Sequence, residues 1–177
     1  MLNARDGGIG GEVTRVLECE TAYNTEKGVE CYESTKGEGS LIYQPLSTGI
    51  TYQLIPKAAA DGIPLHTMGY GRTSAKNGKV FSHTFNYPVN YWDGASAGVN
   101  HFLEESGGSL EGKKITLLHF NGAYGKEPIP TLEACRKSMA LSSMPSRLIS
   151  RDKNRNLSGC KFVASALITF CFGAGVL

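Results

Sequence analysis

The chain has 177 residues, enough for one ordinary domain or two small lobes. Its net charge is only +2 and its 18 Lys and Arg residues are scattered, which argues against a nucleic-acid partner. The first residues, MLNARDGGIGGE, lack the apolar segment of a signal peptide, so the sequence as written predicts no export and a cytoplasmic chain.

The first half of the chain alternates candidate strands with candidate helices. Residues 3–12 look like the end of a helix and its turn. Asn24 or Thr25 can cap a helix that stops at Gly37. A second helix opens at Ser47 and Thr48, and Pro56 inside it predicts a kink or an early end. Strands are expected at 12–20, 40–45, 63–68 and 80–88.

The second half continues the alternation. The clearest helix covers 91–108, where Trp92, Ala95, Val99, Phe102 and Leu103 form one apolar stripe. The clearest strand covers 113–120, and residues 121–134 run through a loop into another helix. Strands that alternate with helices predict an α/β fold with a parallel sheet, helices on both faces and right-handed crossovers.

Ligands of open parallel sheets bind outside the carboxyl ends of the strands, and three loops fit that position. The first loop contains Ser47 and Thr48, whose hydroxyls stand beside unpaired N–H groups at a helix start. Such a place suits a carboxylate or an amide oxygen. Capping alone also explains one of the two hydroxyls, so both interpretations remain open.

The other two loops carry glycines and tyrosines. In the second loop, Gly69 and Gly71 would let the backbone approach a ligand, with Tyr70 between them as a stacking face; a plain turn is the alternative. In the third loop, Tyr124 could close over a ligand or could be a surface aromatic.

Enzyme signatures are missing from the sequence. It has no phosphate-binding G-x-x-x-x-G-K-[ST] loop and no G-x-S-x-G elbow, and GGIGG precedes a strand rather than following one. The four His show no metal spacing, so no metal, cofactor or catalytic residue is expected. Cys19 and Cys31 could form a disulfide in an oxidising compartment or remain two buried thiols.

Several motifs, in order and spacing, resemble a known family. They are GGIGGE, ECETAYNTEKGVECYE, YQPLSTGITYQLIPKAAADGIPLHTMGYG and NGAYGKEPIPTLE, within residues 3–134. The resemblance is to the periplasmic solute-binding proteins of ABC uptake systems, in the leucine/isoleucine/valine and amide/urea branch. It implies a type I periplasmic binding fold, in which two three-layer α/β lobes close over a ligand.

The resemblance also implies an organisation and a site. Residues 1–85 would be most of lobe one without its first strand, and residues 86–134 the crossing into lobe two and its first units. Head-group ligands would be Ser47 and Thr48, then Gly69, Tyr70 and Gly71, with Tyr124 closing from lobe two. Tyr70 and Arg72 stand where amino-acid binders often have a small residue and Thr, which leaves amides, urea or a larger solute open.

The tail, 135–177, breaks the strand–helix pattern and ends in an apolar run. With a choice of permitted codons for 160–175, a shifted reading frame encodes QVRRERPDYVLLWGW, which resembles the family segment expected there. We therefore interpret the tail as translated out of frame from near Ala134 or Cys135. A membrane anchor and a true core strand are the alternatives.

These observations predict a non-catalytic solute-binding component of an ABC importer, of which this chain is an incomplete and non-functional part. Its partners would be a small solute (an amino acid, an amide or a urea-like molecule) and, for the full-length protein, a permease and a periplasmic location. A cytoplasmic amide or amino-acid sensor with the same fold is the alternative, and a flavodoxin-like enzyme is a third.

Overall fold

The computed structural model describes residues 1–68 and 71–139 and two later strands. The helices are α1 (Leu2–Asp6), α2 (Thr25–Thr35), α3 (Thr48–Asp61), α4 (Tyr91–Glu105), α5 (Ala123–Lys126) and α6 (Ile129–Ser138). The strands are β1 (Leu65–Thr67), β2 (Thr84–Asn86), β3 (Lys114–Phe120), β4 (Ser146–Ile149) and β5 (Leu167–Cys171). Short 3₁₀ turns cover Lys36–Glu38 and Thr73–Lys76.

The described strands form two sheets, and every pairing within them is parallel. In the first sheet β1 pairs with β2, so that Leu65 lies opposite Thr84. In the second sheet β3 is central, with β4 on one side and β5 on the other. Parallel strands joined through helices are the α/β arrangement that the sequence predicted.

Each sheet has its own hydrophobic cluster. The first cluster lies mainly between α2 and α3 and contains the buried residues Tyr32, Ile50, Leu54, Ala58 and Leu65. The second packs α4 and α6 against β3 and contains Ala95, Val99, Leu110, Ile115, Leu117 and Leu132. The backbone segment between β2 and α4 connects two regions: the first region ends with β2, and the second region begins with α4.

The strands expected before residue 89 are absent or shorter, and those at 63–68 and 80–88 are reduced to Leu65–Thr67 and Thr84–Asn86. Residues 13–20 form no strand, and Val13 and Val16 are 77% and 75% exposed. The expected strand at 40–45 is reduced to a single bridge between Tyr43 and Leu65. A strand is stabilised by its neighbours, and no described strand lies beside 13–20, so the apolar Val13, Val16 and Leu17 do not by themselves create one there.

The helix predictions fared better. The Asn24 side chain accepts a hydrogen bond from the Lys27 backbone N–H at 2.9 Å, so Asn24, one of the two predicted candidates, is the cap of α2. The expected early end at Pro56 is wrong, because α3 continues to Asp61. A proline removes one backbone hydrogen bond, and the buried Leu54 and Ala58 on either side keep the helix packed in its core.

Most of the tail lies outside the described residues, namely 140–145, 150–166 and 172–177. Most of the residues on which the reading-frame hypothesis rests are among them. Within the tail, Leu167–Cys171 run parallel to β3, with Ile168 opposite Ile115. This pairing is what the core-strand alternative expects of those five residues. In the described part of the chain, no helix combines the length and apolarity needed to cross a bilayer.

Candidate functional site

The site begins where α3 starts. The Ser47 hydroxyl accepts a hydrogen bond from the Ile50 backbone N–H at 3.4 Å, so Ser47 is the N-cap of the helix. Ser47 and Thr48 are both buried, and Thr48 is only 1% exposed. The structure thus gives Ser47 the capping role that the sequence left open, while a ligand role for its hydroxyl stays a prediction.

Thr48 joins two helix starts. Its Oγ1 shares a hydrogen bond of 2.9 Å with the hydroxyl of Tyr91, which is the first residue of α4. Asn90 caps α4 by accepting hydrogen bonds from the Trp92 and Asp93 backbone N–H groups. Side chains from the first turns of α3 and α4 therefore meet, and their two hydroxyls can hydrogen-bond a carboxylate or carbonyl oxygen.

The Tyr91 hydroxyl lies among other polar groups. Burial raises its pKa, and the nearby Tyr23 hydroxyl, Glu127 carboxylate and Tyr124 hydroxyl raise the pKa further, against a hydrogen bond to Thr48 that lowers it. The hydroxyl therefore stays protonated at neutral pH and can donate. Tyr23 is 50% exposed and has a φ of 58°, in the left-handed region that side chains rarely adopt.

The second predicted loop is only partly visible, because Gly69 and Tyr70 lie outside the described residues. Gly71 is buried against the ends of β1 and β2. A Cβ at Gly71 would lie 2.6 Å from Thr67 Oγ1 and closer still to Asn86 Oδ1. The Thr67 hydroxyl donates to Asn86 Oδ1 at 2.6 Å. Packing alone thus requires glycine at 71, and the predicted approach to a ligand is a separate proposal.

Tyr124 lies beyond the carboxyl end of β3. It is the second residue of α5 and is half-buried. Its ring stacks on that of Phe120, the last residue of β3, with a centroid separation of 5.5 Å and an angle of 11° between the planes. This stacking orients the Tyr124 ring at the carboxyl end of β3.

Glu127 follows α5 and contacts three separate elements. The Tyr52 hydroxyl of α3 donates to its Oε1. The backbone N–H of Thr73 donates to its Oε2 at 3.0 Å, and the Trp92 indole N–H donates to its backbone oxygen at 2.9 Å. One residue of the second region is therefore tied to α3, to the 3₁₀ turn and to α4.

Two cations stack on the aromatic rings beside Glu127. The Arg72 guanidinium lies 5.3 Å from the centre of the Tyr52 ring and 5.8 Å from that of Phe81. Lys76 Nζ lies 5.1 Å from the centre of the Trp92 ring. Burial raises the pKa of the Tyr52 hydroxyl, its hydrogen bond to Glu127 raises it further, and Arg72 lowers it.

One buried hydroxyl of this region is unsatisfied. Thr73 is fully buried, and its Oγ1 has no hydrogen-bond partner within the part of the chain that the structure describes. Buried hydroxyls without a partner are uncommon and call for an unseen water or ligand. Thr73 follows Gly71 by two residues, so the unsatisfied group belongs to the second candidate loop.

The remaining predicted residues concern metals and cysteines. No group of three His, Cys, Asp or Glu side chains that could hold a metal occurs among the described residues. Cys19 and Cys31 form a disulfide that links the segment before α2 to α2 itself, with their Cα atoms 5.7 Å apart. The bond therefore holds the end of segment 13–20, where a strand was expected but is not formed, close to the first core cluster.

Thr48 and Tyr124 were predicted from the sequence as site residues, and Tyr91, Tyr52 and Glu127 were not. Tyr91 could have been found, since the same helix-start argument that selected Thr48 applies to the first residue of α4. Tyr52 and Glu127 carried no pattern, because the contacts of Glu127 join residues 35 to 75 positions apart. Tyr23 carried none either. Trp92, expected in the apolar stripe, instead donates to Glu127.

Comparison with known proteins agrees with this architecture. The sequence model of the periplasmic binding protein family matches residues 1–142. A structure described as an ABC transporter permease from the Pseudomonas fluorescens group is 36% identical, with a TM-score of 0.74, over 87% of this chain and 38% of its own. No protein in the curated set matches the sequence.

Two more distant structures share the fold. The fatty acid ABC transporter substrate-binding protein from Thermomonospora curvata is 15% identical, with a TM-score of 0.68, and 84% of this chain covers 36% of it. An ABC transporter solute-binding protein from R. palustris, in complex with benzoate, is 14% identical, with a TM-score of 0.65, and 84% of this chain covers 41% of it.

This chain spans well under half the length of each of these structures. The family match, by contrast, extends over most of the chain, including both sheets' first strands and every residue of the candidate site. The parallel sheets and the alternation of strands with helices agree with the fold of these structures, and the sequence model of the family matches as well. The chain therefore belongs to the periplasmic binding protein family.

Proposed function

We propose that this chain forms part of the ligand cleft of an ABC-type solute-binding protein and acts without catalysis. The observation that carries the proposal is the meeting of Thr48 and Tyr91 at the starts of α3 and α4, 2.9 Å apart. Tyr124 adds a hydroxyl from beyond the end of β3. Two regions thus supply polar groups to one place, as a cleft between lobes requires.

The proposed ligand is a small solute with a carboxylate or amide head group, such as an amino acid, an amide or a urea-like molecule. Helix starts and hydroxyls offer hydrogen-bond donors to such an oxygen. The buried Thr73 hydroxyl would be a further partner if the ligand extends along the second loop, with Gly69, Tyr70 and Gly71 beside it. Membership of the family is compatible with all three ligand classes.

The proposed division of the chain follows its two hydrophobic clusters. Residues 1–85 hold the first cluster and would be part of lobe one, and 86–134 begin lobe two with α4 and β3. The family match stops at residue 142, soon after the point where we place the change of reading frame. Sequencing the gene tests that proposal: restoring one base near codon 135 should open a long family-like frame, and a clean frame through Leu177 would contradict it.

We also propose that the full-length protein works in the periplasm with a membrane permease. The Cys19–Cys31 disulfide supports an oxidising compartment, since such bonds are rare in the cytosol. That observation weighs against the cytoplasmic sensor with the same fold.

Solute binding by the full chain tests the proposal. L-leucine, acetamide, urea and benzoate, each at up to millimolar concentration, would be titrated calorimetrically into the wild type and two variants. Tyr91→Phe removes one hydroxyl from the site, and Tyr87→Phe makes the same change at an exposed ring that stacks on His66. The groups that meet at Thr48 and Tyr91 should suffice for binding, contrary to the sequence-based prediction that the chain is non-functional. We therefore expect at least one solute to bind, and Tyr91→Phe to weaken it about tenfold, as the loss of one hydrogen bond does.

The control variant Tyr87→Phe should bind as the wild type does. If none of the solutes binds to a chain whose circular dichroism shows it folded, the proposed head-group classes are wrong. If binding occurs but both tyrosine variants weaken it equally, the Thr48–Tyr91 meeting point is not the site.

A further inference from the structure

Glu127 joins the part of the chain that carries Tyr124 to the part that carries Thr48. It lies three residues after Tyr124, between α5 and α6. Its two carboxylate oxygens accept hydrogen bonds from two different elements, the Tyr52 hydroxyl of α3 and the Thr73 backbone N–H of the 3₁₀ turn. Both partners belong to the region before β2, whereas Glu127 itself belongs to the region after α4.

We propose that Glu127 is a positioning residue that latches these two regions together and so sets the distance of Tyr124 from Thr48. This latch consists of Glu127, Tyr52 and the Thr73 N–H. Its consequence for solute binding rests on the proposed function, but the latch itself is a property of the chain without any solute.

The contacts suit a latch rather than general packing. A carboxylate bound by a hydroxyl and a backbone N–H makes charge-assisted hydrogen bonds, which are shorter and stronger than neutral ones. Both bonds end on one side chain, so a single rotation or loss of that carboxylate breaks its contacts with Tyr52 and with the Thr73 N–H together. Core packing offers no such single point of release, because it is spread over many contacts.

Neighbouring groups hold the partners of Glu127 in place. Arg72 covers the ring of Tyr52 at 5.3 Å and also hydrogen-bonds Ser74 Oγ through its Nε at 2.7 Å. Thr48 and Tyr52 lie four residues apart on α3 and so share one face of that helix. The latch therefore lies one helical turn from the Thr48–Tyr91 contact.

Trp92 reports on this position. Its indole N–H donates to the Glu127 backbone oxygen at 2.9 Å, and the chain contains no other tryptophan. Tryptophan emission therefore reports the surroundings of this one indole, which is hydrogen-bonded to Glu127. Movement of the α5–α6 segment away from α4 would expose the half-buried indole to water and shift its emission to longer wavelength.

The test compares two variants. Glu127→Gln removes the charge and leaves an amide NH₂ or a neutral oxygen opposite the Thr73 N–H. Tyr52→Phe removes one hydrogen-bond donor and keeps the ring. The control is Glu133→Gln, the same change at an exposed position on α6. Two readouts on the full chain without solute are used: hydrogen exchange of individual amides and Trp92 emission.

We expect Glu127→Gln to speed exchange of the Thr73 amide about tenfold or more, the usual effect of losing one such hydrogen bond. Reference amides in the two cores, at Leu54 and Leu117, should keep their rates, and Trp92 emission should shift to the red. Tyr52→Phe should act in the same direction with a smaller effect. The double variant should do no more than Glu127→Gln alone, because both changes break one unit.

Two results would overturn the latch. If Glu127→Gln shows the same Thr73 exchange rate and the same Trp92 emission as Glu133→Gln, Glu127 does not hold the two regions together. An equal acceleration at Thr73, Leu54 and Leu117 would mean that Glu127 contributes only to global stability. Because neither readout needs a solute, failure of the latch is distinguishable from failure of the proposed binding function.

Discussion

The two regions of this chain are stabilised in different ways. In the first region, which ends with β2, the core lies mainly between α2 and α3, and the described sheet has two strands of three residues. A disulfide also holds the segment before α2. After α4 begins, the core packs against β3, which has a parallel neighbour on each side. The first region depends on helix packing and a covalent bond, and the second on a central strand.

The two regions also supply different groups to the contacts between them. Thr48, Tyr52 and Thr73 of the first region make hydrogen bonds to the second. In the second region, the ring of Tyr124 stacks on Phe120 at the end of β3. Variants that weaken one region alone should therefore separate the two kinds of stabilisation.

The largest expected effect comes from the first core. Leu54→Ala removes a fully buried side chain between α2 and α3 and should destabilise the chain by about 3 kcal/mol. Amide exchange should accelerate in α2 and α3 and remain slow in β3. The matched control is Leu46→Ala, since Leu46 is exposed. Equal acceleration in β3 would show that the two regions unfold as one unit.

The disulfide should come next. Cys19→Ser leaves the buried Cys31 in place and opens a loop of 12 residues, at a cost of about 2 to 3 kcal/mol in the first region. Chemical denaturation in the absence of reductant measures this loss of stability. Cys135→Ser changes a half-buried thiol that is in no disulfide and should have little effect. A Cys19→Ser variant as stable as the wild type would contradict the stabilising role of the bond.

A smaller effect is expected at the start of α4. Asn90 and Asp93 form a capping box there, and Asn90→Ala should cost about 1 kcal/mol. Asn100→Ala, an exposed change inside the same helix, should be neutral or slightly stabilising because Ala is the better helix former. Thermal denaturation of both variants measures the difference, and similar melting temperatures would show that the box contributes nothing.

The smallest expected effect depends on pH and involves the ion pairs on α2 and α3. Hydrogen bonding to Lys36 holds the pKa of Glu33 below its ordinary 4.5 and that of Asp61 below 3.8, with Lys57 and Tyr32 respectively adding to the lowering. A lowered pKa in the folded chain adds stability above the ordinary value, and that stability is lost as pH falls through the lowered one.

Lys36→Met should therefore reduce the slope of stability between neutral pH and the region below pH 3.8, with little change in the fold. Denaturation of the wild type and of this variant at several pH values measures the slope. Because these groups are exposed, salt should weaken the effect as well. Identical slopes would show that the network does not contribute.

Much of the fold could be predicted from local patterns. Asn24 followed by an amphipathic stretch, the apolar stripe of α4 and the run of apolar residues in β3 each have a local cause, and each element forms near its predicted bounds. Residues 13–20 show the limit of this reasoning. Their apolar Val13, Val16 and Leu17 predicted a strand, but a strand also needs a neighbour, and none lies beside them among the described residues.

The candidate site divides in the same way. Thr48 could be predicted because a helix start is visible in the sequence. Its contact with Tyr91, 43 residues away, and that of Tyr52 with Glu127, 75 residues away, could not, because nothing local specifies which helix starts meet. Gly71 was selected for a ligand, and the structure shows a packing reason for glycine that the sequence did not reveal.

The most direct test of the account is to map solute binding onto individual amides by nuclear magnetic resonance, with acetamide, L-leucine, urea and benzoate titrated into the full chain. The account predicts that a bound solute shifts the amide signals of Thr48 and Gly49 in one region and of Tyr124 in the other, at the same solute concentration. Shifts confined to one region, or located away from both helix starts, would contradict a cleft formed between them.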